Sequence, residues 1–204
     1  MLILKISVIL SFLYCIAALF YLFNKFYSAG ITDIYSKSKG NSFKGILYAF
    51  TKGMLPSEKE SAKIHMFSYI AGVIFHFGIF TALAYLALNL LSLNLTHLLL
   101  KIIQMIMIAS FICGASLLIK RLSMKTMHSI SCYDDYISNI LVLSFLMIGI
   151  ITIFDIRTIA LFYFISILLF IYIPAGKIRH CFFFFITRIL LGKYFGRRNV
   201  FKLK

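Results

Sequence analysis

Residues 67–91 read FSYIAGVIFHFGIFTALAYLALNLL, without a single Asp, Glu, Lys or Arg. This stretch decides the fold class. About 20 mostly apolar residues wound as a helix cross the hydrocarbon of a bilayer, and only a helix or a closed barrel satisfies its backbone polar groups there. Four more runs are mostly apolar: about 6–23, 98–119 with one charge at Lys101, 136–154 and 158–191, the last staying apolar past Pro174 apart from Lys177, Arg179, His180 and Arg188. Of the 204 residues, 62% are hydrophobic, more than a soluble core requires. The chain therefore reads as all-α, an integral membrane five-helix bundle forming one domain over 1–204. No clean small-x-small cleavage site follows the first run, so it reads as a retained helix and not as a secretion signal.

Charge gives the orientation. The chain carries 21 Lys and Arg against 6 Asp and Glu. Lys25, Lys37, Lys39, Lys44, Lys52, Lys59 and Lys63 fall between the first two runs, Lys120, Arg121 and Lys125 between the third and fourth, and eight more from Lys177 onward. Five crossings put these eighteen on one side, leaving Lys5, Lys101 and Arg157 on the other. Basic loops mark the cytoplasmic face, which predicts a multi-pass protein of the cytoplasmic (inner) membrane with its N-terminus outside and its C-terminus cytoplasmic. Topology and membrane lipid account for the basic charge, so no nucleic-acid partner is expected. Cys15, Cys113, Cys132 and Cys181 show no CxxC spacing and point to neither a disulfide framework nor a zinc or iron–sulfur site. No phosphate loop, nucleophile motif or metal cluster is present for soluble-enzyme chemistry.

Among the five histidines, His76 stands alone inside an apolar run. If that helix enters the membrane near Phe67, a rise of 1.5 Å per residue places the imidazole about 14 Å along it. Ionisable groups at such depth face a bundle interior and mark functional sites. Gly72, at i−4, and Gly78, two residues on, leave the helix surface partly flat around it, which suits a planar macrocycle. The residues alone leave two readings open: a haem ligand, or a histidine bonded to a neighbouring helix with glycines serving close packing. A six-coordinate haem needs a second axial ligand, for which His180 in the inner half of the fifth run is the candidate. Lys177 and Arg179 beside it would pair with haem propionates or anchor at the inner leaflet. His65 reads as interfacial, His97 as outer-surface and His128 as inner-loop.

FHFG at 75–78, PAGKIRH at 174–180 and five helices with the N-terminus outside together resemble the cytochrome b (gamma) subunit of respiratory nitrate reductase. They also resemble its relatives in heterodisulfide-reductase-like and sulfite-reductase-linked membrane complexes. MLPSEKESAKIH (54–65) and SCYDDYISNIL (131–141) look like the sulfate-reducer-type branch. The likeness covers nearly the whole chain through short motifs. It implies two stacked b haems, each held by one His from the second helix and one from the fifth. The inner pair maps onto His76 and His180, but the outer positions are Leu86 and Phe162, which cannot ligate iron. Either a single inner-side b haem remains, with a quinone site close to it, or an unrecognised ligand such as His97 or His65 holds a second; His97 lacks an obvious partner, which favours one haem. The subunit would pass electrons between menaquinone or another quinone and a cytoplasmic iron–sulfur or reductase partner, as a carrier and not as a catalyst by itself. The rival from another class is a haem-free scaffold or small transporter, although no internal repeat supports transport.

Three features remain. Asp134 and Asp135 open the fourth run, where acidic side chains favour the positive end of a helix; the sharper reading gives them a partner's basic surface, or a proton relay with His128. The tail KYFGRRNVFKLK (193–204) is expected at an anionic leaflet or against a partner. Segment 25–66, with SAG, SKSKGNS and TKG, reads as turn-rich and without a packed core.

Overall fold

The computed structural model describes residues 1–28, 37–58 and 60–201. Of the residues read above, 29–36, Lys59, Lys202 and Lys204 lie outside these bounds. The described residues form helices and no strand: α1 (Leu2–Ser28), α2 (Ser42–Phe50), α3 (Glu60–Ile64), α4 (Met66–Leu90), α5 (His97–Ser123), α6 (Lys125–Ser129), α7 (Tyr133–Phe154), α8 (Ile159–Tyr172) and α9 (His180–Arg197). Helices α1, α4, α5 and α7 are each long and apolar enough to cross a membrane, compatible with a multi-pass membrane protein. They are apolar around most of their circumference, as helices bordered by lipid are.

The fifth run is not one helix. α8 stops at Tyr172, and a 3-10 turn over Lys177–Arg179 precedes α9. Pro174 explains the stop: it has no N–H to donate, and its ring disfavours helical backbone just before it. The amides of Ala175 and Gly176 both turn back to Tyr172 O, at 3.0 and 2.9 Å. Counted as one broken span, Ile156–Tyr172 with Lys177–Arg197 brings the total to five. His180 is accordingly the first residue of a separate helix and not an interior residue of a continuous one.

The chain divides into two compact units. The first comprises Met1–Ala18 and Phe67–Ile178. In it α5 packs on α7 and α7 on α8, around a core in which Phe145, Phe162, Tyr163, Met107 and Leu146 are fully buried. The buried hydroxyls spend their hydrogen bonds on backbone carbonyls: Ser166 on Phe162 O at 2.6 Å, Thr152 on Ile148 O at 2.8 Å and Ser110 on Phe75 O at 2.8 Å. At one end Lys5 Nζ donates to Leu90 O at 3.3 Å and Ser92 Oγ at 2.6 Å. A cation there satisfies the last carbonyl of α4, that of Leu90, and suits the negative end of the helix dipole.

The second unit comprises Leu19–Met66 and Arg179–Lys204. Here segment 25–66 departs from the turn-rich expectation, because α2 packs closely along α9. The contact is backbone to backbone: a Cβ at Gly45 would collide with Gly192 and Gly196, and one at Gly192 with Gly45 and Ile46. Phe50 meets Phe184 and Phe185, with centroids 6.4 and 6.3 Å apart, so α2 runs antiparallel to α9. Asn41 caps α2 by accepting from Lys44 N at 3.1 Å, and the amides of Lys39 and Gly40 donate to Arg197 O at 2.9 Å. Tyr48 stacks on Phe201, its hydroxyl donating to Glu58 Oε2 at 2.9 Å, a bond that holds the phenol above its ordinary pKa.

Candidate functional site

The turn of α4 that carries His76 is fixed from behind. Gly78 lies so close to Ser110 of α5 that a Cβ would overlap its Cβ and Oγ, and Ser110 Oγ bonds the carbonyl of Phe75. Gly78 is therefore a packing glycine, with no open face to offer a ligand. Gly72 is different, since a Cβ there would meet nothing within 4 Å.

The imidazole of His76 is exposed, and its Nδ1 lies 2.6 Å from Gly72 O. A carbonyl only accepts, so Nδ1 carries a proton, and in the neutral ring the lone pair sits on Nε2. Metal-ligating histidines use this arrangement, because a second ring nitrogen held by a carbonyl fixes the tautomer and the ring orientation. Donor chemistry and the open space at Gly72 both fit a haem iron on Nε2.

His180 is exposed at the start of α9 and belongs to the second unit, whereas His76 belongs to the first. Arg179, beside His180, is also exposed. Lys177 is engaged: its Nζ pairs with Asp135 Oδ2 at 2.6 Å and its amide donates to Asp134 Oδ2 at 2.9 Å. A propionate at Lys177 would have to compete with carboxylates already there.

The two positions where an outer ligand pair would stand are packed core. Leu86 is 2% exposed and Phe162 is 0% exposed. Phe162 stacks on Phe145 with centroids 5.1 Å apart and lies 5.8 Å from Tyr85. A Cβ at Gly149 would press on Met107 and Phe162, so no slack remains.

The acid pair does more than begin a helix. Asp135 Oδ2 accepts from Cys132 N at 2.9 Å, closing the first turn of α7 as the sequence suggested. Its other oxygen pairs with Arg121 Nη1 at 2.9 Å. Asp134 accepts from Ser138 Oγ at 3.2 Å and from the Tyr172 hydroxyl. Together the two carboxylates join the end of α5, the start of α7 and the chain just after α8, a junction that the spacing of Arg121, Asp134, Asp135 and Lys177 along the sequence does not reveal. His128 lies against the Tyr136 ring, centroids 6.3 Å apart. His65 precedes α4 and His97 opens α5, both exposed. Among the described residues no group of three or more His, Cys, Asp or Glu is arranged to hold a metal ion.

No protein-family model, curated protein or solved structure matches the chain.

Proposed function

We propose that this chain is a cytochrome b-type electron-transfer subunit of the cytoplasmic membrane, with its N-terminus outside and its C-terminus cytoplasmic. One observation carries the reading. His76, on a helix long and apolar enough to cross a membrane, donates Nδ1–H to Gly72 O and keeps its lone pair on Nε2, beside open space at Gly72. An imidazole at that depth is costly to keep unless it serves a function, and this tautomer is the one an axial ligand requires.

A bound b haem would supply one-electron chemistry between a quinone, menaquinone by resemblance, and a cytoplasmic iron–sulfur or reductase partner. The chain's own part is ligation and orientation. His76 would hold the iron through Nε2, with Gly72 O orienting the ring and raising its basicity. On the sequence pattern, His180 would supply the second ligand and Arg179 would pair with a propionate. The close packing of Leu86 and Phe162 supports one haem per chain over two.

Replacing His76 or His180 with Ala tests the assignment. Each variant is expected to lose the low-spin b-type absorption of the reduced protein. An unchanged low-spin spectrum in either would remove that residue as a ligand.

A further inference from the structure

The α2 segment, SFKGILYAF, has two unlike faces. Gly45 and Ala49 are buried, Gly45 against the backbone of α9. On the other side Phe43 is 73% and Leu47 55% exposed, with exposed Lys44 beside Phe43. Phe43 and Leu47, four residues apart, share one helical face, and Lys44, three residues before Leu47, lies at its side. A helix facing only water would carry polar groups there.

Basic residues outnumber acidic ones along the chain at and beside α2. Lys37, Lys39 and Lys52 are all exposed, and among the described residues none of them, nor Lys44, forms an ion pair. The nearby carboxylate of Glu58 accepts the Tyr48 hydroxyl. The wider unit is equally biased: Leu19–Met66 with Arg179–Lys204 holds fourteen of the 21 Lys and Arg but three of the six acids. Exposed aromatic and aliphatic side chains ringed by unpaired lysines are the pattern of a helix lying in the plane of an anionic membrane surface.

We infer that the exposed face of α2 binds anionic phospholipid headgroups, seating Phe43 and Leu47 at the headgroup–acyl boundary with Lys37, Lys39, Lys44 and Lys52 on the phosphates. Nine residues are too few to hold a helix in water by themselves. Docking on α9 through Gly45 preforms this one, so lipid binding does not bear the cost of ordering it. The assignment needs a membrane but no haem, and stands or falls apart from the role of His76.

The chain contains no Trp, so Phe43→Trp places a single fluorophore on this face at an exposed position that tolerates it. The full-length variant is reconstituted in nanodiscs of phosphatidylcholine alone and of phosphatidylcholine with phosphatidylglycerol. In the anionic discs the indole emission is expected to be blue-shifted, shielded from aqueous iodide and largely quenched by lipids brominated near the headgroup. Adding Lys44→Glu is expected to weaken that quenching in anionic discs and to leave the neutral discs unchanged. Equal quenching in both disc types, insensitive to Lys44→Glu, would overturn headgroup recognition and leave a plain apolar anchor. Emission open to iodide in both types, as for a face reserved for a soluble partner, would overturn the inference altogether.

Discussion

Ser110 is fully buried and bonds the carbonyl of Phe75, the residue before His76, while Gly78 lies against the same serine. This contact fixes the turn of α4 that carries His76. Gly78→Ala would drive a Cβ into Ser110, an overpacking expected to cost about 1–3 kcal/mol. Thermal unfolding in detergent should show the loss, and adding Ser110→Gly should recover part of it, because the two sites share one contact. Strict additivity would mean that the serine is not the obstacle. At this scale the sequence reveals what lies within one helix: His76 and Gly72 are four residues apart and bond each other. It does not distinguish Gly72 from Gly78, since only the neighbouring helix shows which one is covered. The same limit applies to Asp134 and Asp135, whose place at a helix start is local and legible. Their bonds to Arg121, Lys177 and Tyr172 need the tertiary fold.

Among the elements, the long helices are the part most directly written in the sequence, because a run of apolar residues in a membrane has little choice but to be helical. α4 spans Met66–Leu90 where 67–91 was expected, and α7 spans Tyr133–Phe154 against 136–154. The fifth run shows where hydropathy misleads: apolar residues continue past Pro174, but the backbone hydrogen-bond ladder does not. α2 was hidden for the opposite reason. The stretches SKSKGNS and TKG read as turns, yet Gly45 between them is the contact that lets α2 reach the backbone of α9. Gly45→Val should push the helices apart, at a cost of about 1–3 kcal/mol or more, and undock α2. Trypsin cleavage after Lys44 and Lys52 in the folded protein should then quicken, with cleavage in the loops of the first unit unchanged. Unaltered protection of these lysines would show that α2 is held by something other than the glycine contact.

For the whole molecule, charge and apolar surface divide the work. The first unit holds the buried aromatic core and His76, and the second holds most of the excess positive charge. Helices long and apolar enough to cross a membrane are already expected from composition. Assignment of the chemistry rests on one side chain and its tautomer, because the positions at which a second haem would be ligated are filled by Leu86 and Phe162. The decisive measurement is a reduced-minus-oxidised absorption spectrum of the purified full-length protein, with haem and protein quantified on the same sample. A low-spin b-type signal at close to one haem per chain is the predicted result. No haem after expression with ample haem supply would contradict the account and leave His76 a packing residue, and two haems per chain would contradict the reading of Leu86 and Phe162.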